Sequence, residues 1–420
     1  MPTLRLGHHD TGTVPSRSAL LRVHHDWTSS RRGFRDEATD RWRALEAVAG
    51  TSVASLQEGL RRAGFLPHGP VDGVFGYRTR AAVRLFQEYV REVEGRPEIG
   101  VPDGVVGPNT HSHLERWQAA GQVAEWARAD FSPTAASKLT STLLTDTLQR
   151  IAASPDALTR AVDGFRSPTA TLRSTGWSTD ASRGIHLIGI RRNAEVGTTT
   201  RANDDLFVLL GGGMTFFFLG STDPNPGQSR NEEPYLVRGQ HRYRFGWHKL
   251  NPMGRLSDGT VPSGKVYLAL RPAVDAGVLV VRDRDRDDAL TADDLRGALE
   301  NAVDINVHWS GRGTSNWSAG CQVIGGARYI GYGNRLVDCM GHASVGYSDL
   351  GGRKTRGAYN VMMDALTVAA PQFGRDGTEV LYTLLYEDDL PRTHGLSQQW
   401  FRHLVERLAG RTDQPVPDPS

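Results

Sequence analysis

Hydrophobic and polar positions change rhythm once along this chain. In the N-terminal part, apolar residues recur at three- and four-residue spacing, the period of an amphipathic helix. Val53, Leu56 and Leu60 mark one such face, with Ser52 as its cap. Ala82, Val83, Phe86, Tyr89 and Val90 mark a second, and Leu114 and Trp117 a third, with Pro108 near its start. A further helix is expected over residues 36–50. "VAEWARADF", "SKLTSTLLTDTLQRIA" and "DALTRAVDGF" continue the helical spacing through an Ala-, Ser- and Thr-rich stretch. From about Gly184 the rhythm becomes short apolar or alternating runs, separated by Gly, Pro, Asn and Asp. "IHLIGIRR", "DLFVLLGG", "MTFFFLGS", "YRFGWHK", "KVYLALR", "GVLVVRD", "INVHWS" and "VLYTLLYE" read as strands. "TADDLRGALENA", "AYNVMMDALTVAA" and "LSQQWFRHLVERLAGR" read as helices among or after them, before a Pro-rich tail.

Many short strands with little helix between them predict a β sandwich or barrel. The fold class is therefore multidomain α + β: a small helical domain over residues 1–120, a helical connector over 121–183, a β-rich domain over 184–390, and a C-terminal helix and tail over 391–420. The length of 420 residues suits several cores rather than one. A net charge of +2 gives no case for nucleic acid or an anionic membrane surface as partner. The longest apolar runs are broken by Gly, Pro or Asp, so no membrane span is expected. The first residues carry no apolar leader, so no signal peptide is expected. Two cysteines exclude a disulfide framework.

The helical part contains a repeat. "DGVFGYRT" from Asp72 returns as "DGVVGPNT" from Asp103. Each copy is an Asp-Gly turn, two apolar residues, a Gly suited to positive φ, and a Thr at a helix start. Val53, Leu56, Gln57, Leu60, Gly64, Asp72, Gly73, Phe75, Gly76, Thr79, Ala82, Val83, Phe86 and Gln87 together resemble the peptidoglycan-binding domain found beside many cell-wall hydrolases. The resemblance runs from about Val53 to Trp117, and "LRLG" is similar to its opening strand. It implies a helical module with peptidoglycan, glycan strands and stem peptides, as partner. Asp72, Gly73, Phe75, Gly76 and Thr79, with Asp103, Gly104, Gly107 and Thr110 in the second copy, are the residues it points to.

In the β-rich part, "VHWSGRGTSNWSAGCQVIGG" holds His308 and Cys321. A cysteine there is a buried sulfur, half of a bridge to Cys339, or a nucleophile. A nucleophilic thiol needs a base and oxyanion donors. His308 ends a strand, and a polar Gly loop long enough to fold back joins it to Ser318-Ala319-Gly320-Cys321. This arrangement resembles the motif of L,D-transpeptidases and L,D-carboxypeptidases. The resemblance implies Cys321 as acylated nucleophile, His308 as general base, the Gly320 and Cys321 amides as oxyanion donors, and Ser318 as a brace. His248 is a second imidazole for the same site. The family carries an Arg shortly after the cysteine to hold a substrate carboxylate. Gln322 and Val323 stand here instead, with Arg312 or Arg328 as replacements. Cys339 lacks a Gly-rich approach and is expected in the core.

Asp283, Asp285, Asp287 and Asp294 have partial EF-hand spacing, without its Gly and flanking helices, and read as a solvated turn. His8-His9-Asp10 and His24-His25-Asp26 read as surface residues. No metal and no cofactor is expected. The chain is thus expected to be a cell-wall enzyme cleaving or transferring stem-peptide amides through a cysteine acyl-enzyme. The alternatives are a zinc-dependent peptidase or amidase, for which the usual His motifs are missing, and a non-enzymatic wall-binding protein. Action at the wall without a leader implies release by lysis, an injection device or another route, as for a phage lysin or a delivered effector.

Overall fold

The computed structural model describes residues 2–13, 46–50, 52–67, 71–125, 134–166, 178, 180, 184–192, 202–225, 232–248, 267–273, 277–311, 313–331, 335–339, 355, 357–370 and 379–416. It has a helical N-terminal region followed by a β-rich domain built on an eight-stranded barrel.

The N-terminal region begins with two short parallel strands, β1 (His8–Asp10) and β2 (Glu46–Val48). Three helices follow: α1 (Ser52–Arg62), α2 (Tyr77–Glu88) and α3 (Pro108–Ala120). Of the helix expected over 36–50, only 46–50 are described. Residues 46–48 are the strand β2, whose ladder to β1 overrides the helical spacing. Nor does Ser52 cap α1. The Asp10 carboxylate of β1 does so, accepting from Val53 N at 2.8 Å and Ala54 N at 2.9 Å. Asp10 is buried for that reason, and His8 is buried against Arg5 and Glu46, which corrects their reading as surface residues. The second His-His-Asp run lies outside the described residues. Phe65, Phe86, Tyr89 and Trp117 pack edge to face at the centre, with ring centroids 5.2–5.8 Å apart. Every residue of α2 except Arg78 is buried, because α2 packs on α1 and also on a helix of the β-rich domain.

Two helices come next, α4 (Ala135–Ala153) and α5 (Ala157–Arg166). The strands then run β3 (Ile185–Arg191), β4 (Asp205–Gly211), β5 (Met214–Ser221), β6 (Pro234–Leu236), β7 (Gly239–His248), β8 (Tyr267–Pro272), β9 (Val278–Arg282), β10 (Glu300–Ala302), β11 (Val307–Trp309), β12 (Gln322–Gly331), β13 (Arg335–Asp338) and β14 (Glu379–Tyr386). Between them lie α6 (Ala292–Leu295) and α7 (Ala358–Ala369), and α8 (Gln398–Leu408) ends the set. Hydrogen-bonded neighbours follow the order β11-β8-β7-β14-β3-β4-β5-β12, with β13 appended to β12. Parallel pairing of β11 with β12 closes the ring and removes both edges. The expected helix over "TADDLRGALENA" shrinks to one turn, since its end pairs with β9 as the strand β10.

Alternation along the strands fills two layers. Leu187, Phe207, Leu209, Phe216, Phe218, Phe245, Leu270 and Tyr382 point inward. Ile188, Ile190, Val208, Phe217 and Leu385 point outward, onto Leu144 and Leu148 of α4 and Phe401 and Leu404 of α8. Helix α7 packs on β4, β5 and β12 within the inner layer, and α2 packs on its other side. The helical region and the barrel therefore share one continuous core.

Candidate functional site

The two turns of the helical repeat are built alike. Gln57 Nε2 donates to Asp72 Oδ1, Val74 O and Thr79 Oγ1 at 2.8, 3.0 and 3.1 Å, and Gln57 Oε1 accepts from Gly73 N at 3.0 Å. In the second copy Gln87 does the same for Asp103, Val105 O, Thr110 and Gly104 N, at 3.1, 3.0, 3.2 and 2.9 Å. Gly73 and Gly104 hold φ of +69° and +78°. The positive φ therefore falls on the first Gly of each copy. The second, Gly76 or Gly107, is extended and stands as N-cap of α2 or α3. Phe75 is fully buried. Asp72, Thr79, Asp103 and Thr110 thus tie the two loops to Gln57 and Gln87, the threonines from buried positions.

In the barrel, the motif residues gather where β11 meets β12. Cys321 precedes β12 and His308 lies in β11; the ladder sets His308 opposite Val323, two positions from Cys321. Cys321 Sγ donates to Asp304 O at 3.1 Å and accepts from Asn306 N at 3.3 Å. The sulfur is half-buried and free of any disulfide. His308 Nδ1 lies 3.0 Å from Trp309 O and 3.2 Å from Tyr267 Oη. A carbonyl only accepts, so a bond to Trp309 O places the proton on Nδ1 and the lone pair on Nε2. His248 stacks on His308, with centroids 4.0 Å apart and planes 26° apart.

The loop before Cys321 is anchored on both sides. Asn316 Nδ2 donates to Ser221 Oγ at 3.0 Å and Asp223 O at 2.7 Å, and its Oδ1 accepts from Ser318 N at 2.8 Å. Ser318 Oγ donates to Cys321 O at 2.9 Å, closing the turn. Gly320 has φ +130°, and a Cβ there would sit 2.5 Å from Pro234 Cγ. Beneath the sulfur, Gln322 accepts from Tyr382 Oη at 2.8 Å and donates to Thr222 O at 3.1 Å. Burial raises the phenol of Tyr243 well above its usual range, with the charge of Cys321 adding to the rise. A buried charge cluster supports the 221–225 turn: Arg191 Nη2 donates to Thr222 O at 2.8 Å, and Asp205 accepts from Thr222 N at 2.5 Å. Burial and neighbouring acids raise Asp205, whereas Asp223, Tyr386 and Asp205 overcome burial to raise Arg191.

Two expected replacements for the missing cation differ in outcome. Arg312 lies outside the described residues. Arg328 pairs with Asp338 at 3.1 Å, far along β12 from Cys321, so it does not serve the site. Cys339 is core: fully buried, with Sγ donating to Ala327 O at 3.0 Å and its thiol pushed up by burial. Asp283, Asp285 and Asp287 converge within 4.8 Å, but Asp294 turns away to cap α6. Asp304, Asn306, Tyr267 and Asn316 were missed from sequence. The alternation of "DINVH" carried a signal for the first two, since it sets residues 304, 306 and 308 on one face.

Residues 49–91 match the family model of a peptidoglycan binding domain, which covers α1, α2 and the first repeat loop. The helical N-terminal region is therefore a peptidoglycan-binding one, and the match supports peptidoglycan as a partner. No curated protein matches the chain. Among solved structures, a fused Zn-dependent amidase/peptidase/peptidoglycan-binding domain-containing protein from Clostridium acetobutylicum aligns at 11% identity over 66% of this chain and 95% of that one. The TM-score is 0.21, from which no shared fold follows. Among the described residues, no helix is long and apolar enough to cross a membrane.

Proposed function

We propose that the barrel cleaves or transfers a stem-peptide amide of peptidoglycan through a thioester on Cys321. The observation that carries this reading is the His308 Nδ1 contact to Trp309 O at 3.0 Å, on the strand that pairs with the start of β12. With the Nδ1 proton held there, Nε2 is the basic nitrogen, and in this reading it is the one that serves Cys321.

The resting thiol donates to the Asp304 carbonyl, which opposes a thiolate, while Asn306 N–H favours one. Deprotonation therefore needs a base. In the proposed step His308 Nε2 takes the Sγ proton as Sγ attacks the amide carbonyl. The tetrahedral oxyanion is held by the amides of the Gly320–Cys321 turn. The imidazolium then protonates the leaving nitrogen, the C–N bond breaks, and a thioester remains. Water releases an acid, or an amine forms a new amide. The peptidoglycan-binding region, packed on the barrel through α7, holds the chain on the wall. Release into the wall, whether from a phage or a delivered effector, belongs to the same reading.

A zinc peptidase is the competing class. A metal lies in the plane of each imidazole that binds it. His248 and His308 stack face to face at 4.0 Å and 26°, an arrangement that disfavours one ion in the plane of both rings. The third reading, a wall-binding protein without catalysis, leaves the anchored cysteine turn unexplained.

The test is incubation of sacculi with the full chain and with Cys321→Ala, followed by mass analysis of muropeptides and intact protein. The wild type should shorten or exchange stem peptides and carry an acyl adduct. The variant should still bind sacculi and do neither. Turnover that survives thiol alkylation and stops with a chelator would move the assignment to zinc.

A further inference from the structure

Trp317 stands four positions before Cys321 and is 60% exposed. Among the described residues, Trp117 and Trp400 are buried and Trp309 is half-buried. Three other large apolar side chains among them are exposed, at 38–41%: Val71, Val101 and Val303. Their positions are not scattered. Val71 and Val101 lead into the Asp-Gly turns of the two repeat loops. Val303 precedes Asp304, whose carbonyl takes the Cys321 thiol. Exposed apolar side chains thus fall at the repeat loops and at the cysteine turn, and the largest of them is the indole. Apolar surface gathered at a site marks contact with a partner.

The backbone under the indole is fixed. Positions 315, 317 and 319 are exposed, whereas 316, 318 and 320 are buried. The buried set anchors the segment. Asn316 donates to Ser221 Oγ and Asp223 O, and Ser318 O accepts from Asn225 N. Ser315 forms a bridge with Ala202, and its carbonyl accepts from Ser310 Oγ at 2.9 Å. Trp317 is therefore held on both sides, with two side-chain torsions left to order, so a ligand meets its ring at low entropic cost. The exposed neighbours Ser315 and Ala319 are small. A flat apolar face without walls suits a ring that is apolar on its face and polar at its rim. A pyranose has that form, with C–H groups on its faces and hydroxyls around its edge. Those weakly positive C–H groups meet the negative face of the indole.

Reach agrees with this. Four positions of extended chain span at most about 14 Å, and the Ser318 bond to Cys321 O shortens the path. The stem peptides of peptidoglycan hang from an amino sugar, and three stem residues span about 10 Å. A stem amide at the sulfur therefore puts its sugar within reach of Trp317. The peptidoglycan-binding region of the same chain makes glycan a partner.

We propose that Trp317 is a glycan platform, stacking its indole on the amino sugar from which the stem peptide hangs. The proposal rests on the barrel acting on stem peptides. It adds that the substrate is a peptide still attached to the glycan.

The test keeps this binding apart from the thiol chemistry. Calorimetry on the full chain carrying Cys321→Ala uses two probes: a sugar-free stem tetrapeptide, and the same peptide with its amino sugar attached. The sugar-bearing probe should bind about fivefold tighter, the order of one aromatic contact. Adding Trp317→Ala should lower its affinity by that factor and leave the sugar-free peptide unchanged. Adding Trp317→Phe, which keeps a smaller flat ring, should retain part of the advantage. The helical region is identical in every variant, so its own hold on sugar cancels in the comparison. With native Cys321, Trp317→Ala should raise KM for the sugar-bearing substrate about fivefold at unchanged kcat. A Trp317-dependent preference in a chain whose native Cys321 never acylates would keep the platform and remove the thioester mechanism. A preference untouched by Trp317→Ala, an equal loss for both probes, or binding of neither would overturn the platform.

Discussion

Arg84 Nε lies 3.1 Å from Asp364 Oδ2, and both side chains are sealed between α2 of the wall-binding region and α7 of the barrel. Tyr329 Oη donates to Glu88 across the same junction at 3.2 Å, and Arg78 donates to Ala370 O. The helical region and the barrel are thus joined through a core rather than a tether. Removing one buried partner strands the other charge, at about 3–5 kcal/mol. Arg84→Met is expected to destabilise the whole chain by that order in urea, whereas Arg84→Met with Asp364→Leu should recover most of it. Equal losses in the single and double variants would show that the pair is not what joins the units.

The same pair gives a pH signature. Burial pushes the Asp364 carboxyl up to about 7, with Arg84 working against the rise. The folded chain therefore keeps a proton that the unfolded chain releases near 3.8. Between those values the folded state binds more protons, so this contribution is full below the lower one and is lost as pH rises through the upper one. Asp364→Asn should flatten that part of the wild-type stability curve. Parallel curves for the two proteins, compared by denaturant midpoint across the window, would reject the assignment.

Gln57 and Gln87 carry the repeat loops, each with four hydrogen bonds. Truncating either strands a buried backbone amide, at about 1–3 kcal/mol. Gln57→Ala and Gln87→Ala should lower the melting temperature. The folded fraction of each should still bind sacculi with unchanged affinity, because these groups face inward. A sacculus-binding defect in a fully folded Gln57→Ala protein would instead place ligand contacts on this web.

The helices at Val53, Phe86 and Trp117 and the strands at Ile185, Leu206 and Phe216 were legible because local period alone sets them. Strand β12 was not, since Gly325 and Gly326 interrupt its pattern and a register shift lies between Ile324 and Tyr329. Without β12 the barrel's closure could not be read. Cys321 and His308 stand out in the sequence as a motif, and the β11–β12 ladder sets His308 opposite Val323. Tyr267 and Asn316 were not legible, since strand pairing and a buried side-chain anchor bring them there from distant sequence. The replacement cation was sought near Cys321 in sequence, at Arg312 and Arg328.

Gly320 offers the sharpest test of the cysteine turn. Its φ of +130° disfavours any side chain, and a Cβ would meet Pro234 Cγ at 2.5 Å and Pro234 O at 2.7 Å. The contact is partly with backbone, so the turn itself must move. Ser318 and Asn316 hold the other end, so displacement concentrates at Cys321 and the amides beside it. A shift of about 1 Å at a nucleophile can cost on the order of a hundredfold in rate. Gly320→Ala should therefore lose acyl-enzyme formation by about that factor, while sacculus binding through the helical region stays as in wild type. Single-turnover acylation followed by mass spectrometry measures the first, and co-sedimentation the second. Undiminished acylation in this variant would mean that the turn's geometry is not what activates the sulfur.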